Sequence, residues 1–169
     1  MSSRIDPRAL VIVSFAALTV GFLAGYGLGV RGEGSDPEAP HPVGAQEYVD
    51  LGMRDLQAGD FESAESHFRS AAQLRPEDPV PRVNLALALL YQRRWRDADR
   101  ELELARRRGR DLPEIHFLEG LLARDGLADT VRARAAWRRF LALVPADAPQ
   151  AGIVREFLDA MEPVDGESP

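Results

Sequence analysis

Residues 45–78 read AQEYVDLGMRDLQAGDFESAESHFRSAAQLRPED, and this stretch decides the fold. Its apolar residues recur at helical spacing on both sides of Gly59-Asp60, which is a typical turn signal. A second copy of the pattern begins at Pro79, 34 residues after Ala45. One helical hairpin of this length cannot bury its apolar face alone, so neighbouring hairpins must stack on it. The stretch therefore predicts a solenoid of helical hairpins.

The unit that starts at Ala45 resembles the tetratricopeptide repeat (TPR) at nearly every signature position of that family. The matching residues are Tyr48, Leu51, Gly52, Gly59, Asp60, Phe61, Ala64, Phe68, Ala71 and Pro76 at positions 4, 7, 8, 15, 16, 17, 20, 24, 27 and 32. Asp55 departs from the pattern, because the family usually has an aromatic residue there. The unit that starts at Pro79 matches with Leu85, Ala86, Trp95, Ala98, Leu102 and Ala105, but Arg110 replaces the closing proline and Pro113 comes three residues late.

The third unit starts at Pro113 and is less regular. Gly120 takes position 8, and the second helix aligns once one inserted residue is allowed. Ala133, Trp137, Phe140 and Pro145 then take positions 20, 24, 27 and 32. After Pro149, helically spaced apolar residues predict a capping helix. The resemblance thus implies an all-α fold, a TPR α-solenoid of three hairpins (about 45–78, 79–112 and 113–147) with a C-terminal cap (149–161). The predicted helices of this domain, 45–161, are 45–58, 61–74, 79–92, 95–108, 113–124, 129–143 and 149–161.

The segment 9–30, ALVIVSFAALTVGFLAGYGLGV, has 22 residues and no charge. As a helix it covers about 33 Å, against roughly 30 Å of hydrocarbon core. No A-x-A-like cleavage site follows, and the run is longer than a signal peptide needs, so we expect an uncleaved transmembrane helix. Arginines are more frequent before it than directly after it, which favours a cytoplasmic tail (1–8) and an exported domain at a bacterial inner membrane. Residues 31–44 are predicted to be a flexible linker, and residues 162–169 a disordered tail.

Small residues share one face of the predicted transmembrane helix, namely Ala17, Gly21, Gly25 and Gly29. Such a face lets another helix approach closely in a membrane. A self-dimer and a contact inside a larger membrane complex both fit this pattern. The nearby match to G-x-G-x-x-G at 27–32 is not a dinucleotide fingerprint, because it follows a membrane span and precedes a polar linker.

Composition excludes several classes of function. The chain has no cysteine and only three histidines, so thiolate chemistry and a His-rich metal centre are excluded, and we expect no cofactor. All 21 basic residues are arginines, but 27 acidic residues give a net charge of −6, which argues against nucleic-acid binding. The arginine ridge formed by Arg106, Arg107, Arg108 and Arg110 instead fits an acidic protein partner. No nucleophile elbow, metalloprotease motif or phosphate loop occurs, so we expect no enzyme.

The resemblance implies that partners bind in a groove lined by the first helix of each hairpin. By family position, this concave groove comprises Val49, Met53, Leu56, Val83, Asn84, Leu87 and Tyr91. One TPR subclass clamps a partner's C-terminal carboxylate with basic and amide residues. Of that clamp only the amide of Asn84 is matched, because Val49, Met53, Glu114 and Leu118 occupy its other positions. The groove is otherwise apolar and suits an amphipathic helix or an extended apolar segment.

Two functions remain open at this stage. The first is a membrane-anchored scaffold or assembly factor that binds partner proteins in the groove. Residues 135–161 look similar to TPR domains of bacterial c-type cytochrome biogenesis proteins, which hold an apocytochrome before haem attachment. The second is a permanent subunit of a respiratory, photosynthetic or translocon complex, docked through the glycine face of the membrane helix.

Overall fold

The computed structural model describes residues 44–109 and 112–161, and all regular structure within these residues is helical. The elements in chain order are α1 (Ala45–Ala58), α2 (Phe61–Leu74), α3 (Val80–Tyr91), α4 (Trp95–Arg108), α5 (Pro113–Leu121), a π-helical turn (Leu122–Gly126), α6 (Thr130–Leu143) and α7 (Pro149–Ala160). The helix bounds agree with the prediction to within one residue, except that α5 ends early and continues into the π-helical turn. The N-terminal tail, the predicted membrane span and its glycine face, the linker up to residue 43, and the C-terminal tail lie outside the described residues. Among the helices that are described, none has the length and hydropathy needed to cross a membrane.

Three hairpins stack in sequence order, as the repeat pattern predicts. α1 packs on α2, α3 on α4, and α5 on α6, while α7 packs against α6 as a cap. Repeats one and two share a broad interface between α2 and α3, whereas α3 and α4 touch α5 over a smaller area. Every residue from Val83 to Leu90 in α3 is buried, which fits a helix that is apolar all round.

Close packing inside each hairpin explains why the first helix carries a small residue at its eighth position. A Cβ atom added at Gly52 would lie 2.6 Å from a ring carbon of Phe68 on α2. A Cβ at Gly120 would lie 2.0 Å from Nε1 of Trp137 on α6. In the second hairpin the residue at position 24 is Leu102, which is smaller than either ring, and position 8 is Ala86. Both residues are buried. The small residue is therefore matched to the size of its partner.

Asp55, the one departure from the repeat signature in the first unit, has a defined structural role. Its Oδ2 lies 2.6 Å from Nδ1 of His67, so this pair joins α1 to α2. The Tyr48 ring lies beside the same imidazole, with ring centroids 6.0 Å apart and the planes tilted by 32°. A polar contact thus stands where the family usually packs an aromatic ring.

A residue with a left-handed backbone conformation follows the first helix of each hairpin. Gly59 has φ +80, Arg93 has φ +58 and Ala128 has φ +52. These residues occupy position 15 of their units only if one residue is inserted before Ala128. The π-helical turn at Leu122–Gly126 lies at that place, and a π-helical turn is how a helix accommodates one extra residue. The insertion predicted from the alignment is therefore located within the helix, before the loop that leads to α6.

Replacing glycine by alanine at this left-handed position should lower stability, and replacing alanine by glycine should raise it. We expect Gly59→Ala to lower the free energy of unfolding by about 0.5–1 kcal/mol, since L-residues are strained at positive φ. No heavy atom lies within 4 Å of the added Cβ, so the cost is that of the backbone alone. Ala128→Gly should raise the same quantity by up to about 1 kcal/mol, because it relieves that strain. Urea unfolding of both variants measures this, and a change of the same sign in both would contradict the assignment.

Candidate functional site

The predicted groove residues lie on α1 and α3, and all of them except Asn84 belong to one apolar cluster or pack against it. Six of the seven are buried, with exposed fractions of 5% for Val49, 7% for Met53, 8% for Leu56, 6% for Val83, 4% for Asn84 and 5% for Leu87. Tyr91 is partly buried and packs against the same cluster. The structure thus places these residues together, and their role in binding a partner stays a prediction.

Asn84 is the polar exception in this apolar surface. Within the part of the chain that the structure describes, its Nδ2 has no hydrogen-bond acceptor, although the residue is 4% exposed. An unsatisfied buried amide costs about 1–3 kcal/mol, so proteins rarely keep one without a use for it. The amide is a donor that an incoming carbonyl or carboxylate oxygen would satisfy.

Tyr91 closes the C-terminal end of the groove on α3. Its ring stacks on Phe61 of α2 with centroids 4.7 Å apart and an angle of 7° between the planes. Burial raises the pKa of the Tyr91 hydroxyl to about 12, so the side chain is neutral at physiological pH. This end of the groove therefore presents an aromatic surface without charge.

A buried carboxylate holds α2 against the turn that follows α3. Oε2 of Glu65 accepts hydrogen bonds from Arg94 Nη1 at 2.7 Å and from Gln92 Nε2 at 2.9 Å, and Arg69 binds its other oxygen. Burial opposes ionisation of Glu65, but these three hydrogen bonds outweigh it and lower the pKa of the carboxyl. The pattern of the sequence did not indicate this network, because Gln92 and Arg94 are 27 and 29 residues away along the chain.

The lowered pKa of Glu65 predicts a pH-dependent contribution to stability. Because the folded pKa lies below the ordinary value of 4.5, the contribution is complete above that value and is lost as pH falls through the folded pKa. At pH 7 we expect Glu65→Gln to lower the free energy of unfolding by about 1–3 kcal/mol. Urea unfolding at pH 7 and pH 3 should show the difference between variant and wild type shrinking at acid pH.

The matched control is Glu156→Gln, which changes an exposed carboxylate on α7. It should leave stability within about 0.5 kcal/mol at either pH. A Glu65→Gln deficit that stayed the same from pH 7 to pH 3 would show that shape, and not ionisation, makes residue 65 important.

The arginine ridge is largely compensated by acidic neighbours. Arg106 and Arg107 both pair with Glu103, at 2.8 and 3.3 Å, and Arg108 pairs with Glu77 at 2.9 Å. Hydrogen bonding from Arg106, and then from Arg107, lowers the pKa of Glu103. Arg110 lies outside the described residues. An acidic partner for this ridge stays a prediction, and the partner would have to compete with two carboxylates that are already in place.

Comparison with known proteins agrees with the repeat geometry. Residues 55–124 match the family model described as tetratricopeptide repeat. The described helices form a TPR-like solenoid of helical hairpins. Solved TPR structures superpose on this solenoid over more than two thirds of the chain.

Two solved structures show what proteins with this fold hold. The first TPR of Spaghetti (RPAP3), bound to the HSP90 peptide SRMEEVD, matches with a TM-score of 0.59 and 18% identity, covering 69% of this chain and 94% of that one. PcrH in complex with the chaperone binding region of PopD matches with a TM-score of 0.62 and 19% identity, covering 68% and 88%. At these identities the likeness concerns the fold of the TPR domain.

One curated relative matches in sequence. It is the probable biofilm formation methyltransferase WspC of Pseudomonas putida, 39% identical over 71 residues. That match takes in 42% of this chain and only 17% of the relative. The shared segment is thus a small part of the relative. Its length of 71 residues is close to that of the segment 55–124 that matches the TPR family model.

Proposed function

We propose that the protein is a membrane-anchored TPR interaction module that acts as a scaffold or assembly factor and has no catalytic activity of its own. Its concave groove binds an apolar segment of a partner protein that belongs to a membrane-associated or exported complex. The TPR fold and the peptide-bound structures of that fold support binding as its task. An apocytochrome is one client class that the resemblance of residues 135–161 suggests.

The observation that carries this proposal is the buried amide of Asn84 within an apolar surface. A partner segment with apolar side chains would pack on Val83 and Leu87, and one of its backbone oxygens would accept from Asn84 Nδ2. The amide fixes the position of the bound chain, while the apolar area supplies the driving force. Charged groups are absent from this set of lining residues, so the groove selects against charged segments.

Anchoring is proposed from the sequence of residues 9–30. We propose that this segment crosses a bacterial inner membrane with the N-terminus in the cytoplasm and the TPR domain on the other side. Attachment through a flexible linker of about 14 residues would give the TPR domain a root-mean-square reach of roughly 20 Å from the bilayer surface. The groove would then meet partners that are themselves at the membrane, where their local concentration is high.

Replacing Asn84 separates binding from folding. We expect Asn84→Leu to leave the free energy of unfolding unchanged or to raise it by about 1–3 kcal/mol, because it removes an unsatisfied amide. The same change should weaken partner binding at least about tenfold, because a hydrogen bond that fixes the bound chain is lost. Binding is read from photo-crosslinks of benzoylphenylalanine placed at Tyr91 in native membranes, with the probe at exposed Leu74 as control.

Two outcomes would contradict this function. One is a set of crosslinks as strong from position 74 as from position 91. The other is a partner adduct at position 91 that Asn84→Leu leaves unchanged. A stable large complex in mild detergent that Gly25→Leu disrupts, together with a groove that forms no adduct, would identify a permanent subunit docked through its membrane helix.

A further inference from the structure

We infer that residues 9–30 of the same chain occupy the concave groove whenever that segment is outside a bilayer. This inference rests on the proposed function, and it names the first occupant of the groove. Insertion of the segment into the membrane then vacates the groove for a partner protein. Anchoring and partner binding would therefore be coupled in one molecule.

The first argument is the burial of the groove itself. The groove residues of α1 and α3 other than Tyr91 are less than a tenth exposed. Across residues 44–109 and 112–161, however, no helix packs against α1, α3 and α5 together, and α7, which lies outside the three hairpins, packs on α6. The described helices thus leave the inner face uncrossed, although the side chains on it are shielded from water.

The second argument is chemical fit. Residues 9–30 carry no charge, and the lining side chains of Val49, Met53 and Leu87 are apolar. Three helices side by side at about 9 Å spacing span roughly 30 Å, and a helix of 22 residues is about 33 Å long. The glycine face of the segment allows close approach to a packed surface, and a backbone carbonyl beside a glycine is accessible to the amide of Asn84.

The third argument is the tether. The linker ends at Gly44, directly before α1, so the segment is attached at the edge of the surface it would cover. About 14 linker residues reach at most roughly 50 Å, which is enough to turn back along a helix of about 21 Å. A short flexible tether gives an effective concentration in the millimolar range. A separate peptide of equal intrinsic affinity must exceed that concentration to displace the segment.

The test uses the full chain, made by cell-free synthesis without detergent, with benzoylphenylalanine at Tyr91. We expect irradiation to give crosslinks that map to residues 9–30. Reconstitution into phosphatidylcholine–phosphatidylglycerol vesicles should lower their yield at least fivefold. Mixing ¹⁵N-labelled and unlabelled chains tells a contact within one chain from a contact between two copies. The same probe at Leu74 on α2 is the control and should give no such crosslink.

A second variant leaves the TPR domain untouched. Leu18→Asp places a charge in the segment, and we expect it to abolish the crosslink, while Glu33→Gln in the linker should preserve it. Crosslinks that map elsewhere, that join two copies, or that persist undiminished in vesicles would each overturn the inference. If the crosslink within one chain is absent but partner adducts form in native membranes, the inference fails and the proposed function stands. If the crosslink is present and no partner adduct forms, the proposed function fails instead.

Discussion

Phe68→Ala is expected to lower the free energy of unfolding by about 4 kcal/mol. The Phe68 ring is fully buried between α1 and α2, and truncating such a ring leaves a cavity in addition to the lost transfer free energy. Gly52, whose added Cβ would lie 2.6 Å from the ring, has no side chain that could fill the space. The first hairpin should therefore open at lower urea concentration than the rest.

Urea unfolding followed by far-ultraviolet circular dichroism measures this effect. In a stack of repeats, a weakened terminal unit also broadens the transition, since cooperativity between units is lost. Leu74→Ala in the same helix is the matched control, because Leu74 is 54% exposed, and it should change stability by no more than about 0.5 kcal/mol. Equal losses for the two variants would show that Phe68 is not a core residue.

Gly120→Ala should cost about 3 kcal/mol, which is the largest effect that we expect from adding a single methyl group. The new Cβ would lie 2.0 Å from Trp137 Nε1, where no atom can be accommodated without movement. Trp137 cannot move easily, because it is fully buried and donates a hydrogen bond to the carbonyl of Phe117 at 3.2 Å. Overpacking of this kind normally costs about 1–3 kcal/mol, and the better helix propensity of alanine recovers less than that.

Two further variants make the cause specific. Gly152→Ala on α7 adds the same methyl group in open space and should stabilise the domain by up to about 1 kcal/mol. In a Trp137→Phe background, the penalty of Gly120→Ala should fall, because the atom nearest to the new methyl group is gone. A Gly120→Ala penalty that is the same in both backgrounds would refute a direct contact. Thermal unfolding of the wild type, Gly120→Ala, Trp137→Phe and the double variant measures this double-mutant cycle.

Much of the fold could be predicted from the sequence because the repeat signature reports local geometry. Glycine at position 8 and an aromatic residue at position 24 meet within one hairpin, so a fixed spacing is enough to pair Gly52 with Phe68. The one-residue insertion in the third unit was also visible as a shift in spacing. The form of the insertion was not visible, because an extra residue can either lengthen a loop or make a π-helical turn. In the structure Ala123 of this turn is buried, and Gly126 lies against Trp95.

The candidate site was less accessible to prediction. Family position grouped the seven groove residues, and in the structure they lie on α1 and α3, with six of them buried. Their role in binding a partner stays a prediction. The hydrogen-bonding state of the Asn84 amide depends on which acceptors surround α3, and no spacing rule records that. The Glu65 network depends on side chains that meet from different hairpins, and charges of both signs are too frequent in this chain to reveal which pairs form.

The unequal interfaces between the hairpins bear on how the groove can change shape. Each repeat in a stack contacts only its neighbours, and the third hairpin, through α5 and the π-helical turn, contacts the second less extensively than the second contacts the first. We therefore expect the third hairpin with its cap to move more readily against the first two hairpins than these two move against each other. A small rotation between the second and third hairpins would alter the width of the inner face at the α5 side and leave Val49, Val83 and Asn84 in fixed relation. One side of the inner face would thus move while the other side keeps its shape.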